Sequence, residues 1–256
     1  ASLLPTGSPS WLYVSDRLMQ LPLGIFAIAI ATVILPRLSN LFASDSREQF
    51  SSTLDWSIRL ILLIGLPAVI GLVMLAEPII LTLFERGEFG AQDSSMASSS
   101  LIALAFGLLA FMLIKILTPS FFARQQPKKP MFVALISMVL NAFLAWLLAF
   151  QLGYAHVGLA LASSISAFFT VITLLILLYK DKVYKSSKGW IYFLFRMLIA
   201  SSVLILLINF FSQEVEYLRQ ISEFSRFVYI FKNSINRDGW LLFKFVDFRF
   251  KNKRFF

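Results

Sequence analysis

The chain has no cysteine and a single histidine, His156. The first absence excludes disulfides and thiolate metal sites, and the second leaves no room for a multi-histidine metal centre. Charge is scarce as well. Of the 256 residues only 14% are charged and 58% are hydrophobic, with a mean hydropathy of +0.78. A water-soluble domain carries about 25% charged residues. This chain has too few to cover a wetted surface, and lipid is the solvent that fits it. Signatures of catalysis are missing too. There is no Walker loop, no dinucleotide glycine pattern and no His/Cys/Ser constellation. The carboxylates in apolar surroundings are limited to Asp16 and Glu77. The expectation is a protein that makes and breaks no bonds and needs no cofactor or metal.

What is present is a series of long apolar runs. A spanning helix needs about 20 mostly apolar residues. Six segments qualify, at 18–36, 58–76, 101–122, 131–150, 157–179 and 190–211. A shorter apolar piece at 78–84 follows the second. Pro78 should break the helix there, so this piece reads as interfacial. The chain therefore reads as an all-α integral membrane protein with six transmembrane helices.

The net charge is +9, and its placement gives orientation. With six spans the loops alternate sides. One side holds Arg37, Arg47 and Arg59, then Arg124, Lys128 and Lys129, then Lys180, Lys182, Lys185 and Lys188. The other side holds Glu77, Glu85, Glu88 and Asp93, and its only Arg or Lys is Arg86. This is a positive-inside pattern and no sign of nucleic-acid binding. The loops after the first, third and fifth spans are expected in the cytoplasm. The apolar residues Leu38, Leu41, Phe42, Phe50, Leu54 and Ile58 have helical spacing, which predicts a short amphipathic helix lying on the membrane surface.

After about Phe211 the character changes. Lys232, Arg237, Asp238, Lys244, Asp247 and Arg249 interrupt every apolar run. Each charge would cost about 2.5–3.5 kcal/mol at the centre of a span. Residues 212–256 read as a basic, aromatic tail without a regular span, diverging from the parent reading frame. At the other end the chain opens at Ala1 inside an apolar phrase with no cleavable signal peptide, which reads as a truncated start.

Four polar residues in or beside the spans are candidates for contact with a substrate. Asp16 and Arg17 stand together at the start of the first span. Charges there are costly unless they face water or each other. One reading is an arginine facing a cavity, with Asp16 as its partner, meeting an anionic substrate. The fork of a guanidinium suits a diphosphate. The other reading is a pair that snorkels to the headgroups. Lys115, in FMLIKILTP, is either a second cationic contact or a snorkelling side chain. Arg124, with Lys128 and Lys129, is either a gate residue or a topology determinant touching anionic membrane lipid. Arg59 reads as an interfacial anchor beside Trp56, and Asn141 as an amide bonded to a neighbouring helix. Gly65, Pro67 and Gly71 predict a bend or close packing in the second span.

These residues carry a resemblance. SWLYVSDRLMQLPLGIFAIAIATVILPRLS resembles the middle of MurJ/MviN-family lipid II flippases, which show an Asp-Arg pair, a Pro-x-Gly step and a small-residue helix ending in Leu-Pro-x-Leu-Ser. Here these are Asp16, Arg17, Pro22, Gly24, Leu35, Pro36, Leu38 and Ser39. PIILTLFERGEF, ILTPSFFARQQPKKP and GLALASSISAF resemble later segments of the family, and the resemblance covers about residues 1–210. It implies membership of the multidrug/oligosaccharidyl-lipid/polysaccharide exporter superfamily. Two six-helix lobes would surround a cationic cavity, with two further C-terminal helices. The implied substrate is lipid II, the undecaprenyl-diphosphate-linked peptidoglycan precursor, moved across the bacterial inner membrane by alternating access. Arg17 would be a cavity arginine with Asp16 beside it. On this reading residues 1–179 are the C-terminal lobe with its first helix truncated, and residues 180–211 are an additional C-terminal helix. The N-terminal lobe would be a missing partner, and this stretch alone would not flip lipid II. The alternatives are a flippase for another polyprenyl-linked glycan, a drug antiporter, or the inactive product of an interrupted gene.

Overall fold

A computed structural model describes residues 5–211, and the expected character of the 212–256 tail lies outside these residues. The described residues are helical and contain six helices long and apolar enough to cross a membrane. Lipid offers the backbone no hydrogen-bond partners, so each spanning run must satisfy its own N–H and C=O groups, and the α-helix does so. The chain is a multi-pass α-helical membrane protein.

Helix α1 (Ser8–Pro22) runs through a π-helical segment (Leu23–Ile28) into α2 (Ala29–Ala43). Pro22 lacks an N–H and its ring crowds the preceding turn, which accounts for the widening at that point. Helix α3 (Arg47–Met74) is followed by the short α4 (Ala76–Phe84), then α5 (Ala91–Phe122). Helix α6 (Lys128–Trp146) ends in a second π-helical turn, and α7 (Ala155–Lys180) and α8 (Trp190–Phe211) complete the order.

The six expected spans are all present, and the first five begin earlier than expected. The break near Pro78 is also found, with Pro78 in the first turn of α4. The surface helix is not. Leu38, Leu41 and Phe42 continue α2, while Phe50, Leu54 and Ile58 belong to α3, which runs unbroken from Arg47 into the membrane. Phe50 and Leu54 are buried in the protein core. Their helical spacing records a helix face packed on protein, a pattern indistinguishable in sequence from one packed on lipid.

Helix α5 is the axis of the fold, and α1, α3, α4 and α7 pack around it. Its Leu101, Leu108, Met112, Ile116, Leu117 and Phe121 are fully buried. Small residues set the closest approach. A Cβ on Gly107 would come within 2.7 Å of the Ser164 Cα, and Ser164 donates to the Ala103 carbonyl at 2.7 Å. Gly65 of α3 faces the side-chain ends of Leu109 and Met112, while Gly71 faces open space. Helix α6 is tied to α7 by polar bridges. Ser137 donates to the Ser166 carbonyl, Thr170 to the Ser137 hydroxyl, and Asn141 to the Ser163 hydroxyl at 3.3 Å. The lone amide thus bonds a neighbouring helix as its position predicts. The remaining faces of α6 and α8 expose Met138, Val139, Ile191, Phe195 and Leu206, a surface that suits hydrocarbon.

The contacts sort the loops onto two ends. Arg124 and Lys129 meet Asp181, and Arg59 meets Ser187 and the Lys188 carbonyl. These join the segments read as cytoplasmic. At the opposite end Trp11 meets Asp93 and His156 meets the Met96 carbonyl. The alternation of sides read from charge placement matches this arrangement.

Candidate substrate-facing surface

The outer third of the site is built on α1. Trp11 donates its indole N–H to Asp93 at 2.8 Å, and Ser15 donates to the Ala97 carbonyl at 2.7 Å. Both contacts join residues 82 positions apart, so α1 and α5 run parallel and in step. Asp93 also accepts from the Gly90 N–H at 2.9 Å, capping its own helix. His156 packs edge-on against Trp11, with ring centroids 4.8 Å apart. One face of α1 is thereby fixed to the core, with Trp11, Val14, Ser15, Leu18 and Met19 buried. The opposite face carries Tyr13, Arg17, Gln20 and Leu21, all exposed, with Asp16 at its edge.

On that face Arg17 and Asp16 do not pair with each other, a correction to the sequence reading. The Arg17 guanidinium lies over the Tyr13 ring, 4.9 Å from its centroid. Asp16 accepts instead from the Gln20 amide one turn on. The reason is helix geometry, because adjacent residues point about 100° apart while residues three and four apart face each other. Arg17 therefore stands exposed on α1 with its guanidinium over Tyr13, while the neighbouring Asp16 is engaged by Gln20.

Lys115 is the second cation. It lies about five helical turns below Ala97 on α5, at 3.6 residues per turn. That puts it on the face of α5 that receives α1. Here the chain has passed the π-helical segment into α2, and Lys115 is exposed. With α1 and α5 in register, Arg17 and Lys115 are separated by roughly 24 Å along the bundle, taking 1.5 Å rise per residue.

Arg124 is the third, at the inner end, and its side chain is only 4% exposed. Helix α5 stops just before it. Gln125 adopts a left-handed φ of 56° and the Gln126 N–H returns to the Phe121 carbonyl. The same kind of turn ends α7, where Lys182 has φ 56° and the Val183 N–H reaches the Leu178 carbonyl. These two helix ends bring Arg124 to Asp181 at 2.7 Å, and Lys129 joins the same carboxylate at 2.6 Å. Burial alone would push the Asp181 carboxyl up, but the hydrogen bonds and charges of Lys129 and Arg124 hold it below its ordinary value. Arg124 also donates to Gln126 at 3.0 Å, yet its Nε and Nη1 are buried without a partner.

The three cations are thus placed at successive depths and not gathered in one pocket. The sequence reading missed the group around Asp55, which is buried on α3. Arg59 is not an anchor beside Trp56. Its Nε bonds Asp55 at 2.9 Å and its guanidinium lies 5.0 Å from the Trp190 ring centroid. The i,i+4 spacing of Asp55 and Arg59 was the available signal. Among the described residues, no group of His, Cys, Asp and Glu is arranged to hold a metal ion.

The fold defines a class: a multi-pass helical membrane protein, here with cations at successive positions along its bundle, Arg17 and Lys115 exposed and Arg124 buried. The comparisons narrow it. The family model described as "Lipid II flippase MurJ" matches residues 1–225. The chain is 46% identical over 208 residues to a probable lipid II flippase MurJ of Vibrio cholerae, covering 80% of this chain and 38% of that protein. It is 42% identical over 232 residues to a probable lipid II flippase MurJ of Haemophilus influenzae, covering 88% and 45%. A solved structure, "Lipid II flippase MurJ, inward closed conformation", superposes with a TM-score of 0.76 at 26% identity, over 96% of this chain and 48% of that one. The chain belongs to the lipid II flippase MurJ family. It spans less than half the length of these relatives.

Proposed function

We propose that these residues form one lobe of a transporter that carries lipid II across the bacterial inner membrane by alternating access, with a second lobe closing the cavity. The observation that supports this reading is Arg17, exposed on α1 within a helix long and apolar enough to span a membrane, with its guanidinium over Tyr13 and Asp16 turned to Gln20. A guanidinium so placed is costly facing lipid, and its planar donor fork matches the oxygens of a diphosphate. Tyr13 beneath it restricts the side chain and preserves its charge. Asp16, turned towards Gln20, leaves Arg17 free for an anion. Lys115 would be a second contact deeper along the path, and Arg124 would act near the inner mouth. Membrane lipids cover the apolar faces of α6 and α8. No step requires a cofactor, because the cargo is moved and not altered.

Complementation tests the reading. A strain depleted of its own lipid II flippase would receive this chain, with and without a separately encoded N-terminal lobe from the Vibrio cholerae relative. Growth is expected only when both are present, and Arg17→Ala should abolish it. Rescue that is indifferent to Arg17→Ala would overturn the assignment.

A further inference from the structure

Asp55 lies on α3 with 3% exposure, and it is surrounded by donors from a distant part of the chain. Oδ1 accepts from the Tyr184 hydroxyl and from the Trp190 indole N–H, both at 2.8 Å. Oδ2 accepts from the Ser187 hydroxyl at 2.5 Å and from Arg59 Nε at 2.9 Å. A carboxylate offers about four lone-pair sites, and all are occupied. No lone pair is left open for a cation or a substrate donor. The group's role must lie in what it holds.

What it holds is the start of α8. The strap of residues 181–189 leaves α7 and crosses back over α3. Its Lys185 N–H donates to the Ser51 hydroxyl at 2.8 Å, and that hydroxyl is 3.1 Å from the Lys185 carbonyl. Arg59 extends the attachment, donating to Ser187 at 2.6 Å and lying over both Trp190 and Phe193, the latter at 5.6 Å. Beyond this clasp α8 packs chiefly against α3, and Met197 is its only buried residue among those described. Among the described residues, little besides this clasp fixes the angle of α8. Apolar contact between helices in lipid lacks the hydrophobic driving force that it has in water.

We infer that Asp55 is the positioning residue for α8. Its carboxylate gathers Tyr184, Ser187 and Trp190 onto α3, so that α3 and α8 form one rigid arm. This holds whatever the transporter carries, and it is independent of the role of Arg17.

The absence of native cysteine permits a direct test. Spin labels at Ser52→Cys on α3 and Ser202→Cys on α8, in the whole chain in lipid nanodiscs, report the distance between the two helices. A second pair at Ser99→Cys on α5 and Ile172→Cys on α7 is the control. With Asp55 intact both pairs should give a single narrow distance. In Asp55→Ala the α3–α8 distribution should broaden while the control stays narrow. Tyr184→Phe and Trp190→Phe each remove one donor and keep the carboxylate, so each should broaden the α3–α8 distance in part. They serve if Asp55→Ala is not recovered folded. An unchanged α3–α8 width in Asp55→Ala, or in both phenylalanine variants, would overturn the inference. So would equal broadening of the control pair.

Discussion

The indole of Trp11 and the carboxylate of Asp93 meet at 2.8 Å, joining the first turns of two parallel helices at the outer end of the bundle. One turn further in, the Ser15 hydroxyl lies 2.7 Å from both the Ala97 and the Trp11 carbonyls, which share its one proton. Trp11→Phe and Ser15→Ala should each lower stability by about 1 kcal/mol, the usual net worth of an intramolecular hydrogen bond. Unfolding in mixed detergent micelles would show this. No change in either variant would mean that apolar packing alone aligns α1 with α5.

Arg17 should separate stability from function. It is exposed and holds no ion pair, so Arg17→Ala should change unfolding by no more than about 0.5 kcal/mol. The same variant should lose complementation when paired with an N-terminal lobe. Arg17→Lys keeps the charge but not the planar fork, and should restore activity only in part. Full activity from the lysine variant would reduce the requirement to charge alone.

Asp181 gives a pH dependence of definite sign. Its folded carboxyl is held below the ordinary value by Lys129 and Arg124 against the opposing effect of burial. Its contribution is therefore fully present above the pKa of the unfolded carboxyl and is lost as pH falls through the lower folded value. The stability difference between wild type and Asp181→Asn should stay constant from neutral pH down to about 5, and should shrink only below about 4, near the unfolded carboxylate range. A difference that disappears near pH 6 would contradict the ion-pair account.

Two glycines should behave oppositely. Gly107→Ala places a methyl 2.7 Å from the Ser164 Cα. Backbone cannot swing aside as a side chain can, so a loss of about 1–3 kcal/mol is expected. Gly71 faces open space. There alanine should be neutral or stabilising by up to about 1 kcal/mol through helix propensity. Unfolding of both variants against wild type checks the contrast.

The six spans were legible because spanning runs are set by length and hydropathy, and the sides of the loops by where Lys and Arg fall. The family pattern around Asp16 and Arg17 was legible for the same reason, being contiguous. Pairings across the fold were not. Nothing in the sequence couples Asp55 to Tyr184 or Trp190, well over a hundred residues on, and nothing distinguishes Phe50 packed on protein from Phe50 packed on lipid. The Asp16–Arg17 pair shows a subtler failure. Neighbours in sequence are rotated apart on a helix, so Asp16 bonds Gln20 and leaves Arg17 to Tyr13.

The π-helical segment at Leu23–Ile28 lies just below the two polar links that fasten α1 to α5. Above it the helix is pinned. Below it, α2 runs on for 15 residues with only Ile34 and Leu38 buried. Such a geometry magnifies small angles. A change of roughly 10° at the widened turns would carry the far end of α2 through about 4 Å, given 1.5 Å of length per residue. That displacement would be greatest at the end of α2 level with Arg124 and small beside Lys115, while the outer seam stayed still. A single proline, by denying one hydrogen bond, gives this helix a fulcrum.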